Sequence, residues 1–332
     1  MTHPFFDERG FGTDLHRVPW HEVAAIGIRT TSDGPFADDL FWQFVFDGQV
    51  LELPGSWVGR GAVDVILRAL PGADVRKVVT AMGSVEDRQY CVWDRDRGAL
   101  PKPSVLRERF QALAQRVGAV GDASPLAERL LAAWTEPSRH YHDTTHLAEC
   151  LALLDEALEA GAERDVAELA LWFHDAVYDA RANDSEERSA RWLEVAGAEL
   201  RLVPELVARA ARLVRATAHA SNPHEDDALA ALVCDVDLAI LGRERVRFLE
   251  FEDAVRDEYA HVWSLLFGLG RGRFLASLLE RSRIFVTPWA SARFEATARR
   301  NIEELLASPR YAPWRLVRRL QGRSIFGHTL SP

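Results

Sequence analysis

Asp165-Val-Ala-Glu-Leu-Ala-Leu-Trp-Phe-His-Asp-Ala-Val-Tyr178 is the stretch on which the reading of this chain turns. Its apolar residues recur three and four apart, which predicts a helix over residues 165–178. Inside it, His174 and Asp175 stand side by side among residues destined for a core. A buried helix seldom carries an imidazole next to a carboxylate unless something stabilises both. A divalent cation does this, because it binds the lone pairs of both groups and offsets their desolvation. Working outward, His146 lies 28 residues before His174, and Asp237, in Asp235-Val-Asp237, lies 62 residues after Asp175. Asp235 and Asp237 are two apart on a helix and so point roughly 200° away from each other, which lets only one of them face a given ion.

The set extends further. Arg139-His-Tyr141-His142 precedes His146, and Glu186-Glu-Arg-Ser-Ala190 follows the histidine–aspartate pair. Ala216-Thr-Ala-His219, Asp235-Val-Asp-Leu-Ala-Ile-Leu-Gly242 and the segment from Glu295 to Asn301 come later. In this order, over about residues 124 to 307, the motifs resemble an uncharacterised bacterial branch of the HD superfamily of metal-dependent phosphohydrolases. Ser185 departs from the pattern, which has asparagine there. The resemblance implies an all-α HD-type domain whose metal ligands are His146, His174, Asp175 and Asp237, with Asp235 left to cap or pair locally. Two imidazoles and two carboxylates suit Mn²⁺, Fe²⁺, Co²⁺ or Mg²⁺ and do not rank them.

The activity implied is hydrolysis of a phosphate ester or anhydride, most readily on a nucleotide, by a metal-activated water. Asp175, Glu186 and Arg139 would be catalytic, with Glu186 orienting or deprotonating the water. Arg139, Tyr141, His142 and His219 would contact substrate, since a guanidinium fork matches phosphate oxygens and tyrosine can hydrogen-bond them. Each residue also has a plainer reading: Arg139 in a salt bridge, Glu186 as a first-turn acid favoured by the helix dipole, His219 as a histidine at a helix C-terminus. His219 otherwise reads as a ligand of a second metal. Two other functions therefore stay open, a two-metal phosphodiesterase and a non-catalytic nucleotide-sensing or interaction module with a structural metal. An open coordination position marks the enzyme and a closed shell the sensor.

Composition narrows the setting. The chain has 332 residues, 48% hydrophobic and 27% charged, which suggests two domains and an ordinary globular core. A net charge of −10 argues against a nucleic-acid scaffold; the partner that the resemblance implies is a small phosphate-bearing molecule. Cys91, Cys150 and Cys234 are scattered without metal-like spacing and read as reduced thiols. With no signal peptide and no apolar run of about 18 residues, a cytoplasmic protein without a membrane span is expected. The oligomeric state is not readable.

The texture changes near residue 100. Residues 1–103 read as a small α+β domain: strand-like runs at Ala24 to Thr31, Leu40 to Phe46 and Gln49 to Leu53, the last two joined by Asp47-Gly48 as a hairpin, helices at Gly61 to Leu70 and Val75 to Met82, and a strand at Gln89 to Trp93. Trp42, Trp57 and Trp93 read as core anchors. Residues 104–332 read as all-α, with helices at Thr144 to Leu158, Ser185 to Leu200, Pro204 to His219, Asp226 to Leu241, Arg245 to His261, Trp263 to Ser282 and Ala290 to Ser308. Arg310 to Arg323 reads as a basic surface end, ordered or partly frayed. With the whole candidate site after Arg139, a chain beginning near Ser104 is expected to fold and keep the activity.

Overall fold

The computed structural model describes residues 4–13, 16–34, 38–96, 101–218 and 226–325, with the backbone alone for 320–325. His219 and His224 lie outside these residues. The chain divides into two compact units: residues 1–102 with 244–254, and residues 103–243 with 255–332.

The first unit is rich in sheet. Strands β1 (Phe5–Asp7), β2 (Gly10–Thr13) and β3 (His16–Pro19) form one antiparallel sheet. Strands β4 (Val23–Thr30), β5 (Leu40–Phe46), β6 (Gln49–Pro54) and β7 (Arg88–Asp94) form a second, in the order β6-β5-β4-β7, with every neighbour antiparallel. Asp47 and Gly48 both adopt positive φ, 48° and 67°, the conformation that a two-residue turn between right-twisted strands requires. Helices α1 (Arg60–Ala69) and α2 (Val75–Met82) follow the hairpin.

Alternation along the strands sends Ile26, Ile28, Trp42, Phe44 and Val92 to one face, where they pack with Phe11 and Val18 of the smaller sheet, Ile66 of α1 and Val78 of α2. Trp42 is fully buried there, while Trp57 and Trp93 are partly buried against the same core. Ala25, Val45 and Cys91 face the other way, onto Val246. A Cβ at Gly27 would come within 2.9 Å of the Val246 side chain, so the close approach of that residue requires glycine. The three short strands β1–β3 were not anticipated, because three or four residues are too few to show alternation.

The second unit is helical: α3 (Pro103–Arg116), α4 (Ser124–Trp134), α5 (Thr144–Ala157), α6 (Ala162–Phe173), α7 (Ser185–Glu199), α8 (Pro204–Ala216), α9 (Ala228–Leu238), the last turn of α10 (Arg245–Glu258), α11 (Ser264–Glu280), α12 (Pro288–Ala307) and α13 (Ala312–Ile325). The basic end is helical over residues 312–325, the ordered one of the two alternatives. Helix α6 is the hub, packed by α3, α5, α7, α8 and α9. Its residues from Val166 to Phe173 are all buried, including Glu168, whose carboxylate accepts from Arg109 at 2.7 Å and Arg116 at 2.8 Å on α3. Those two guanidiniums make an otherwise costly buried charge tolerable.

The division near residue 103 omits one element that the sequence does not advertise: Glu244–Ala254, most of α10, belongs to the first unit. Along the outer edge of β7 its carboxylates take the Gln89 N–H (Asp253, 2.9 Å) and the Cys91 N–H (Glu250, 3.1 Å), and Glu250 also pairs with Lys77 at 2.5 Å. A chain beginning at Ser104 therefore exposes Val246 and strands Glu250 and Asp253. It should unfold at lower temperature than the full chain and bind more of a hydrophobic dye. An unchanged melting point and dye signal would show that residues 244–254 need nothing from the sheet.

Candidate metal centre

Each candidate ligand is held by local chemistry. Asp143 caps α5, accepting from the Thr145 N–H at 2.7 Å and the His146 N–H at 3.3 Å, which sets His146 in the first turn facing inward. Asp237 is the penultimate residue of α9. His174 and Asp175 do not lie inside a helix as expected. Helix α6 ends at Phe173, and the pair occupies the tight turn beyond it, closed by the Ala176 N–H on the Phe173 carbonyl at 2.9 Å.

The apolar periodicity runs on to Tyr178, but side chains claim the backbone groups that a continuing helix would need. Arg139 donates to the carbonyls of Asp175 at 2.6 Å and Ala176 at 3.0 Å. Ser189 of α7 accepts from the Val177 N–H at 3.0 Å and donates to its carbonyl at 3.2 Å. Ser185, in the place of the expected asparagine, accepts from the Asp179 N–H at 3.3 Å.

These elements bring the four side chains together. His146 Nε2 lies 3.1 Å from His174 Nε2, 3.1 Å from Asp237 Oδ1 and 3.8 Å from Asp175 Oδ2. His174 Nε2 lies 3.2 Å from Asp175 Oδ2 and 3.5 Å from Asp237 Oδ1. Ligand atoms about 2.1 Å from a first-row cation stand about 3.0 Å apart at right angles and about 3.4 Å apart at tetrahedral angles. His146, His174 and Asp237, at 3.1–3.5 Å from one another, match the edges of such a polyhedron, and Asp175 joins them at 3.2 Å from His174 while standing 3.8 Å from His146. His174 Nδ1 donates to the Leu171 carbonyl at 2.8 Å, which leaves the Nε2 lone pair facing the cluster. Converging lone pairs and negative oxygens repel unless a cation or proton lies among them, so the donor set fits a metal. Asp235 turns away, accepting from the Val286 N–H, the Thr287 N–H and the Thr287 hydroxyl at 2.9, 2.7 and 2.6 Å, where it braces the start of α12.

The electrostatics follow. Burial opposes charge on His174, but Asp175 and Asp237 outweigh it and raise its pKa well above the usual imidazole value. Burial also opposes the Asp175 charge, and His174 and His142 outweigh it, holding the carboxyl far below the usual range.

Cys150 joins the cluster although its spacing did not point there. It sits four residues after His146, on the same face of α5, with Sγ 3.7 Å from the ring. Burial, then Asp237, Glu149 and Asp175, push its thiol pKa well up. That i, i+4 relation to His146 was the available signal.

The expected substrate residues fare differently. Arg139 is 6% exposed, and besides the two carbonyls above it donates to the His142 carbonyl at 3.0 Å and Glu136 at 3.1 Å. It braces two loops, with its guanidinium nitrogens engaged by those groups. Tyr141 is buried with its ring 4.7 Å from that of His146. His142 stacks on Tyr178 at 4.1 Å, and its Nδ1 lies 2.7 Å from Glu258 Oε2. Glu186 is half-buried in the first turn of α7, makes no hydrogen bond or ion pair with the cluster, and acts electrostatically on Tyr259. Its neighbour Glu187 pairs with Arg191 and Arg215.

Sequence reasoning missed Glu258. This carboxylate accepts from three successive backbone N–H groups, His140 to His142, at 2.8–3.0 Å, and from the Tyr178 hydroxyl at 2.9 Å. Nothing local announces it, since its partners lie 80 to 118 residues away. Comparison with models of known families, with curated proteins and with solved structures finds no match.

Burial opposes the Glu258 charge, but His142 and the backbone N–H groups outweigh it and hold the pKa at about 2. The folded value lies below the ordinary 4.5, so its contribution is full above that pH and is lost as pH falls through about 2. Glu258→Ala should cost roughly 3–5 kcal/mol at pH 7 by leaving those donors unsatisfied. The penalty read from denaturant midpoints should shrink at pH 3. A difference below about 1 kcal/mol would mean that water replaces the carboxylate at little cost.

Proposed function

We propose that the chain is a metal-dependent hydrolase of a phosphate ester or anhydride, most readily on a nucleotide. The observation that carries this reading is the convergence of His146, His174, Asp175 and Asp237 at coordination spacing, with His142 beside them. A divalent cation held there supplies Lewis acidity toward a phosphoryl oxygen and lowers the pKa of water.

The chain's own residues set the direction of approach. The two imidazoles form the back of the site, with side chains 2% and 0% exposed, whereas Asp175, Asp237 and His142 are 12%, 15% and 20% exposed. Substrate therefore reaches the site over the carboxylates and past His142. Glu258 engages His142 Nδ1 and keeps Nε2 as the nitrogen that exchanges a proton with the leaving oxygen. Arg139 acts indirectly, by fixing the carbonyls of His142 and Asp175 and so the loops that carry both groups. We assign proton transfer to His142 rather than Glu186, because only His142 lies against the cluster.

A second reading rests on Cys150. His146, Cys150, His174 and Asp237 would make a four-ligand shell with no open position, which is the arrangement of a structural metal and a sensor. Cobalt substitution separates the two: a thiolate charge-transfer band lost in Cys150→Ser marks the closed shell, and its absence marks the open one.

The direct test is turnover by the metal-loaded full chain against nucleotides and generic phosphoesters. His174→Ala and Asp175→Ala should abolish metal retention and turnover together. His142→Asn should retain the metal and lose about 10²–10⁴ in rate. Glu186→Gln should change the rate by less than about tenfold. A large loss confined to Glu186→Gln would return the proton-transfer role to that residue, and absence of turnover on every phosphoester would leave the sensor.

A further inference from the structure

A cleft of about 860 Å³ opens in the helical unit between the end of α4, the loop that follows the histidine–aspartate pair, the outer face of α7 and the end of α10. That volume is within the range of small-molecule sites. None of the four metal-site side chains lines it.

The charges around it are unequally committed. Glu258 is saturated by His142, Tyr178 and three backbone N–H groups, and Glu136 pairs with Arg139. Asp179 takes the Arg181 N–H within its own loop, and Asp257 is likewise engaged. Among the cations, Arg129 is occupied by Glu199. Arg181 and Arg188, both exposed, have no side-chain hydrogen bond or ion pair among the described residues. The half-buried Trp192 reaches the same cleft, its ring edge-on to Phe173 at 5.8 Å. Two uncommitted guanidinium forks beside an indole offer bidentate contacts to phosphate oxygens and a stacking surface for a planar ring.

We propose that this cleft is a second ligand site, separate from the metal centre, for a phosphate-bearing ligand with a planar ring of the nucleotide type. A ligand there also touches Tyr178 and Glu258, the two groups that hold His142. The cleft thereby shares a wall with the candidate catalytic histidine while remaining a distinct place to bind.

The test is calorimetric titration of the full chain with adenosine 5′-monophosphate in the presence of EDTA, which removes any dependence on metal or on hydrolysis. Adenosine and inorganic phosphate, each carrying half of the recognition, should bind at least about tenfold more weakly. Arg181→Glu with Arg188→Glu should weaken the nucleotide by about tenfold or more, and circular dichroism should be unchanged because both side chains are exposed. Trp192→Ala should weaken the nucleotide and leave inorganic phosphate unaffected. His174→Ala, folded by the same criterion, should bind the nucleotide as the unaltered chain does. The proposal is overturned if the nucleotide gives no binding at millimolar concentration, if the double charge reversal leaves its affinity unchanged, or if His174→Ala abolishes it, which would place the ligand at the metal centre.

Discussion

The guanidinium of Arg139 is the tie on which the rest of the candidate site depends. By taking the carbonyls of His142, Asp175 and Ala176 together, it joins the loop that enters α5 to the turn that leaves α6. Those two segments carry His146 on one side and His174-Asp175 on the other. A helix that continued past Phe173 would take the Asp175 and Ala176 carbonyls into its own ladder. Instead α6 stops, and its last turn delivers two Lewis bases to the same point. The Arg139 side chain lies between Trp134 and Tyr178, with centroid distances of 5.6 and 5.7 Å, so the brace is itself packed.

Around this tie the molecule distributes its buried charge unevenly. Glu168 is an enclosed carboxylate held by two guanidiniums, Asp235 one held by backbone N–H groups and a hydroxyl, and Glu258 one held by three backbone N–H groups, the Tyr178 hydroxyl and the His142 ring. Asp175 and Asp237 instead face the Nε2 atoms of two buried imidazoles, at 3.1–3.8 Å. That contrast distinguishes a ligand set from a salt-bridge network more sharply than burial does.

Much of this was legible in the sequence. The hairpin at Asp47-Gly48 and the helices of the second half follow from turn chemistry and apolar spacing; the angular offset of residues two apart says that only one of Asp235 and Asp237 can face the cluster, and the family resemblance chose Asp237. The rest depended on tertiary partners. Periodicity overran the end of α6 because Ala176 and Val177 are as apolar as a helix interior, and only Arg139 and Ser189 reveal why the chain turns. The carbonyl partners of Arg139 could not be read from the sequence, because a guanidinium suits a phosphate and a set of carbonyls equally well. Glu258 and the excursion of Glu244–Ala254 into the sheet unit leave no local mark, whereas Cys150, one helical turn beyond His146, was in plain view.

The central claim is that these side chains form one metal centre. X-ray absorption at the metal edge of the full chain, purified and then loaded with Mn²⁺ or Co²⁺, tests it most directly. The account predicts one ion per chain, bound by two imidazoles and by oxygens at about 2.0–2.2 Å, with that signal lost in His146→Ala. Metal well below one per chain, or a spectrum without imidazole scattering that His146→Ala leaves unchanged, would contradict it.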